Sequence, residues 1–298
     1  MTEFRHIVTT EDDQMEVREI MRKYFDFSSR LRNKIKRNKL VYRNGEQTEG
    51  WHRVDTGDEI LIKLPDDVSH FPAEDIPIDV VYEDDDLMIV NKQPGITVHP
   101  TRGHPDGTIA NGLMKYMQQS GQSFKIRFIN RLDRDTSGLL IVAKNAFCQN
   151  EYTKQSKANE VRKQYVAIVK GIIAEDEGTI DLPIGRPDPV DICRCVMEDG
   201  YPSVTHYRVL ERFEKTGYTM LQLLLETGRT HQIRVHLSHI GYPILSDHLY
   251  GTEEPELMPR QALHAARLSF THPVTHEPLQ FEAPLPDDMK KAADMLRL

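Results

Sequence analysis

The stretch richest in potential chemistry is Ile129-Asn130-Arg131-Leu132-Asp133-Arg134-Asp135-Thr136-Ser137-Gly138, a polar loop that runs straight into the apolar Leu139-Leu140-Ile141-Val142-Ala143. A loop anchored on a strand can hold a side chain still. Asp133 stands between Arg131 and Arg134, and a guanidinium beside it would keep its carboxylate ionised at neutral pH, ready to act as base or nucleophile. The same composition also suits a salt-bridged turn with Ser and Thr capping. A second cluster, residues 226–236, sets Gly228 and Arg229 at a strand-to-helix junction and Arg234 one turn into the helix. Amide groups at such a helix start attract anions. Arg234 follows apolar Ile233, so it calls for a carboxylate partner or a cleft. His231, His236 and His239 raise a zinc reading, but only His236 and His239 share a helix face and no cysteine is near, so no metal site is expected.

The elements that must position these residues can be traced by periodicity. Val17, Ile20, Met21, Tyr24 and Phe25 recur at helical spacing, and Ser28 or Ser29 offers an N-cap for a second short helix holding Leu31 and Ile35. Asn44-Gly45 marks a two-residue hairpin, and DTGDEILIKL reads as a turn into a returning strand. This helix-helix-hairpin unit predicts a small domain over residues 1–65. Proline and acid density over residues 66–77 suits a solvated linker. From residue 78 to 298, strand-like runs (DLMIVNK, GLLIVAKN, KQYVAIVKG, THYRVLERF, YTMLQLLLET, RLSFTH, PLQFEAP) outnumber helical patterns, which fall at residues 108–118, 147–157 and 230–241. In the last helix Thr230 is the expected N-cap and Gly241 the C′ residue. Short connections such as the turn at Gly217 require much of the sheet to be antiparallel. The predicted class is α+β with a large mixed, mostly antiparallel sheet.

The composition permits this and excludes other classes. Of 298 residues 39% are apolar and 28% charged, which argues against wholesale disorder. No apolar run approaches the roughly 18 residues of a membrane span. The first residues look like neither an export nor an organelle signal, so a cytoplasmic location is expected. Cys148, Cys193 and Cys195 read as free thiols. The net charge of −8 hides a strong segregation: residues 22–43 carry nine Lys or Arg against Asp26 alone, whereas residues 74–86 carry seven carboxylates and no Lys or Arg. One basic face on an acidic molecule favours a directed encounter with a polyanion. Arg30, Arg32, Lys34, Lys36, Arg37 and Lys39 are the expected phosphate contacts, with Arg229 a further RNA-binding candidate.

Together these segments resemble the RluA-type pseudouridine synthases, which isomerise uridine to its C-glycoside within RNA. The resemblance is carried in order by VNKQPGITVHP (90–100), RLDRDTSGLLIVAKN (131–145), KQYVAIVKG (163–171), LPIGR (182–186), LETGRTHQIRVHLSHIGYPILSDHLYG (225–251) and ALHAARLSFTHPVTHEPLQFEAPLP (262–286). The N-terminal unit resembles the small RNA-binding domain, first known from a ribosomal protein, that often precedes this catalytic domain. The resemblance implies a pseudouridine synthase fold with Asp133 as the catalytic aspartate and Arg131 as the arginine associated with displacing the target base. It further implies Tyr165 as the ring that stacks on the flipped uracil, and Arg234 as the basic partner of the carboxylate. On periodicity alone Tyr165 shares a face with Ala167 and Val169 and reads as core. The family usually has histidine before the arginine; here Asn130 stands in that place.

The implied reaction needs no redox change, nucleotide or metal, so no cofactor is expected. The expected partner is RNA, ribosomal RNA foremost and transfer RNA second, with no membrane and no obligate protein partner. Whether Asp133 acts as nucleophile or base is open at this level. Two other readings compete: a non-catalytic RNA-binding ribosome-assembly factor on the same scaffold, against which Asp133, Tyr165 and Arg234 together weigh, and an aspartate-dependent glycosidase. The latter needs a second carboxylate, nominally Asp135, and leaves the basic unit without a role.

Overall fold

The computed structural model describes residues 2–101, 103–188 and 190–298. Its first element is a strand, β1 (Glu3–Ile7), where the sequence reading begins with a helix. EFRHI alternates exposed and half-buried positions, and its partner lies more than fifty residues away, so local periodicity gave little sign of it. The two helices follow as α1 (Val17–Tyr24) and α2 (Ser29–Arg37), and Ser28 caps the second by accepting from the Leu31 amide. Strands β2 (Val41–Arg43) and β3 (Glu46–Gln47) are joined by Asn44 and Gly45, whose φ values of 50° and 83° give the turn that the dipeptide predicts. β4 (Glu59–Lys63) completes a four-stranded sheet in the order β1-β4-β2-β3. Val17, Ile20, Leu31 and Ile35 pack with Ile60 and Ile62 into one cluster, which also takes in Phe147 from far along the chain.

Residues 65–79 form no regular element, yet they are not the solvated strip their composition suggests. Buried Ser69 accepts the Ile126 amide at 3.0 Å, Phe71 packs on the main core, and the Pro72 carbonyl accepts from Asn111 at 2.9 Å. Asp66 and Asp75 face outward, whereas Asp67 pairs with Lys34 and Arg127 and Glu74 accepts the Gly107 amide, so polar and apolar residues alike staple the segment down.

The remainder is built on a ten-stranded sheet. Its strands are β5 (Val80–Glu83), β6 (Leu87–Lys92), β7 (Arg127–Phe128), β8 (Ser137–Ala143), β9 (Arg162–Lys170), β10 (Glu177–Asp181), β13 (Val204–Phe213), β14 (Tyr218–Leu225), β15 (Leu263–Thr271) and β16 (Pro278–Glu282). β11 (Ile184–Gly185) and β12 (Cys195–Val196) form a separate two-stranded ribbon. The order is β10-β13-β14-β9-β15-β8-β6-β5, with β16 on β15 and β7 on β8. Only β8 and β15 pair in parallel; the other pairings are antiparallel, as the short connections require. The helices are α3 (Ile109–Ser120), α4 (Ala146–Lys157), α5 (Gln232–His239) and α6 (Asp287–Arg297). α6 goes beyond the three helical patterns read in this part of the chain. None of the described helices is long and apolar enough to cross a membrane.

The β8–β15 pairing fixes the polar loop. Gly138 has a φ of +110°, and a Cβ there would lie 2.2 Å from the Ala265 carbonyl oxygen. A side chain at this point would force the two parallel strands apart, so the chain leaves the loop on glycine. Ser137 accepts or donates across the same pairing to His264 Nδ1 at 2.9 Å.

Candidate active site

Asp133 lies on the loop between β7 and β8, its side chain partly open to solvent. Asn130 fixes the start of that loop: its Nδ2 donates to the Leu139 carbonyl at 3.1 Å and its Oδ1 accepts the Ile141 amide at 2.7 Å. Asn130 is thus engaged with the β8 backbone while it also lines the cleft beside Asp133. At the far end the Thr136 amide donates to the Asp133 carbonyl.

The cation beside Asp133 is neither of its sequence neighbours. Arg131 is exposed and donates to Thr230 at 3.2 Å, and Arg134 donates to the Gly95 carbonyl at 3.1 Å. Arg234 is the partner, with Nη1 3.0 Å from Asp133 Oδ2. Arg234 is itself buried and gripped from behind: Nε and Nη2 each donate to an oxygen of fully buried Asp247 at 2.7 Å. Leu249 and Tyr250 amides donate to the same carboxylate. Burial opposes the charge of Arg234, but the Asp247 and Asp133 carboxylates more than offset it and push its pKa up. Burial likewise opposes ionisation of Asp247, and Arg234 overrides it and holds that carboxyl below the usual range. Such a fork-on-carboxylate geometry fixes orientation as well as charge.

His231 stands beside the pair, Nε2 3.8 Å from Asp133 Oδ1 and Nδ1 2.8 Å from the Tyr250 hydroxyl. It, and not Thr230, is the N-cap of α5, at a left-handed φ of 58°, while Gly241 takes the C′ place as expected. Burial pushes the His231 pKa down, against the pull of Asp133. The Tyr250 hydroxyl, accepting the Arg194 amide, is pushed up to about 12 by burial, so it stays a neutral phenol. Below the loop, fully buried Lys92 donates to the carbonyls of Gln93 and Arg134 at 2.8 and 2.9 Å. Burial lowers its pKa to about 7, with Asp135 and Asp133 opposing. Arg260 ties the loop to α6, donating to the Asp135 carbonyl and to Asp288.

Asp133 opens into a cleft of about 1570 Å³. Tyr165 belongs to both readings made of it: it packs in the main core and also lines the cleft, where burial and the nearby Asp133 charge raise its phenol pKa. Arg131 and Arg229 line the same wall, the latter stacked over Tyr201 at 5.4 Å. Arg30, Lys34 and Arg37 of α2 line the opposite end, so the basic unit and Asp133 share one continuous space. Lys34 is not free for a phosphate as the sequence suggested, because Asp67 neutralises it and Arg127 shares that carboxylate. Arg32 is spent on its own loop, donating to Phe27 and Ser29. Arg30, Lys36, Arg37 and Lys39 have no carboxylate partner among the described residues.

Sequence reasoning missed Asp247, Tyr250, His231 and Lys92 as members of this site. The available signal was a lysine ending an apolar strand in VNKQPG and an acid within SDHLYG. The zinc reading gains nothing: His236 is engaged with Thr205 and the Leu182 carbonyl. Elsewhere Asp84, Asp86 and His272 converge, but their oxygens and ring nitrogens already pair with one another, with Tyr82, Thr2 and Asn145, or with backbone amides.

A family model described as RNA pseudouridylate synthase matches residues 86–239. The protein named "Uncharacterized RNA pseudouridine synthase YjbO" of Bacillus subtilis is 44% identical over 251 residues, 83% of this chain and 87% of that one. Ribosomal large subunit pseudouridine synthase D of Vibrio parahaemolyticus is 38% identical over 289 residues, covering 92% of this chain and 88% of its own. Among solved structures, human RNA Pseudouridylate Synthase Domain Containing 1 aligns with a TM-score of 0.59 at 27% identity, over 76% of this chain and 97% of its own.

Proposed function

Because this chain belongs to the RNA pseudouridylate synthase family and isomerises uridine in RNA, we propose that Asp133 is its catalytic carboxylate and structured ribosomal RNA its foremost substrate. The observation that carries the assignment is the doubly bonded Arg234, which Asp247 aims at Asp133 from within the core. That arrangement supplies an ionised, oriented carboxylate at the floor of a cleft wide enough for a nucleotide.

A uracil in folded RNA must leave its stack, at a cost of a few kcal/mol. The Tyr165 ring offsets part of that cost by offering a face to the base, and Arg131 at the cleft wall fills the space vacated. Cleavage of the N-glycosidic bond beside Asp133 frees the uracil, which turns within the pocket and rejoins the sugar through carbon 5. Once the C–C bond has formed, the hydrogen at carbon 5 leaves to water as a proton, and N1, which lost its bond to the sugar, takes up a proton from water. Arg234 stays bonded to Asp133, and burial disfavours a second cation at His231. Residues 1–65 act as an RNA-binding domain tethered through residues 66–77 to the catalytic domain, residues 78–298. Arg30 and Arg37 meet phosphates from the cleft side. Ribosomal RNA is favoured over transfer RNA by the names of the relatives, and the cytoplasm is the proposed place of action.

The test is release of tritium from RNA labelled at uridine carbon 5. Wild-type protein is expected to release it, and Asp133→Asn to release none while keeping its affinity for RNA. Full activity in Asp133→Asn would sink the assignment.

A further inference from the structure

The cations of α2 fall in two stripes. At 3.6 residues per turn, Arg30, Lys34 and Arg37 share one side of the helix, and this side lines the cleft. Arg32 and Lys36 lie on the other side, and with Lys39 just past the helix end they line a separate hollow of about 270 Å³. Arg22 of α1 forms its opposite wall, Met21 and Val41 its apolar floor, and Trp51 its rim.

Trp51 is the single tryptophan of the chain and is 65% exposed. An open indole beside cations offers an aromatic face on which a base can stack. It is also held in place: its ring meets His52 edge-on at 4.0 Å, and His52 Nδ1 is fixed by the Thr48 hydroxyl at 2.9 Å. Arg22, Lys36 and Lys39 have no carboxylate partner among the described residues, and Glu49 is the acid on the rim. A fixed aromatic face, an apolar floor and three unpaired cations match a planar base that carries phosphates on either side.

We propose that this hollow takes one unpaired nucleotide of single-stranded RNA, its base stacked on Trp51 and its phosphates on Arg22, Lys36 and Lys39. The inference deepens the reading of the N-terminal unit as RNA-binding and assigns it a second contact, separate from the cleft. Duplex RNA is refused because its base faces are already covered by neighbouring pairs. Sequence tolerance follows, since every base offers a π face.

Because the chain has no other tryptophan, its intrinsic emission reports on Trp51 directly. The probe is an eight-residue oligoadenylate, which holds no uridine for the cleft to turn over. Added to the full-length protein, it is expected to quench the emission, while a fully paired G·C duplex of similar length, which also holds no uridine, is not. Anisotropy of labelled oligoadenylate should show Trp51→Phe binding as wild type and Trp51→Ala binding roughly 5- to 150-fold more weakly. Lys36→Gln and Lys39→Gln should each flatten the log–log salt slope by about 0.7. Tritium release from a short substrate should be unchanged in Trp51→Ala. No quenching by the single strand, or equal quenching by the duplex, overturns the inference, as does quenching by an acidic peptide alone, which would mark a protein-binding surface. Failure of the catalytic reading shows separately, as tritium release retained in Asp133→Asn with the Trp51 signal undisturbed.

Discussion

Arg234 and Arg37 are the same residue type in opposite circumstances. Arg234 is buried and has three of its nitrogens bonded to two carboxylates. Arg37 stands on the open side of α2 with no acid opposite it among the described residues. A buried charge must be matched, or it costs stability and tends to give up its charge, whereas water satisfies an exposed one at little cost. Matched charges therefore set geometry and stability, and salt barely reaches them. Unmatched ones set affinity for a polyanion, and salt screens them. The molecule keeps its chemistry in the first kind and its contacts in the second.

The largest effect should come from unmatching the buried centre. Asp247→Ala leaves Arg234 with Asp133 as its only acid, and urea unfolding should report a loss of about 3–5 kcal/mol. A loss below about 1 kcal/mol would mean that the core does not hold Arg234 as described. Next is Tyr165, which spans both regimes. Tyr165→Phe should keep RNA affinity, and Tyr165→Ala should lose roughly 1–3 kcal/mol of binding beyond any change in unfolding. If the alanine variant loses stability alone, the ring is core and the stacking role fails.

The exposed stripe should answer to salt and not to denaturant. Replacing both Arg30 and Arg37 by Gln should flatten the log–log slope of RNA binding by about 1.4, if each meets one phosphate of a single strand. The unfolding midpoint should stay where it is, and an unchanged slope would return the stripe to a merely solvated face. A dependence on pH is expected at Lys92, the buried cation without a carboxylate bond. Its pKa lies near about 7 in the folded protein and near the ordinary lysine value when unfolded. Between those values the unfolded chain binds the extra proton, so stability rises with pH above about 7 and falls back toward acid. Wild type should gain on Lys92→Met over that window, measured as the difference between their unfolding midpoints. A constant difference would show that Lys92 does not titrate there.

What the sequence made legible was local. The helix start at Ser28, the hairpin turn at Asn44-Gly45 and the β8 run after Gly138 all rest on neighbouring residues, and each is found in place. What stayed hidden was set by distance along the chain. β1 is a strand because β4 pairs with it, and Lys34 is paired because Asp67 reaches it. That Asp133 takes its cation from Arg234, a hundred residues away, is legible through the family resemblance and not from the flanking arginines, which local spacing offers instead. The basic run likewise read as a single face until the helix phase of α2 divided it. Deleting the N-terminal unit, a natural test from sequence alone, would bare Phe147, so single substitutions give the cleaner answer.

Phe147 has one more consequence. Projecting from α4, it is keyed between Phe4 and Phe27 at ring distances of 4.7 and 5.6 Å, and the Lys154–Asp26 pair locks the same seam. The small unit therefore shares an apolar seam with the catalytic part of the chain, which restrains the separation between α2 and Asp133. Under the proposed function, an RNA that engaged both would have to offer a flippable uridine and a phosphate-dense segment at that spacing. The protein would then work as a calliper, choosing its uridine by the dimensions of the folded RNA around it.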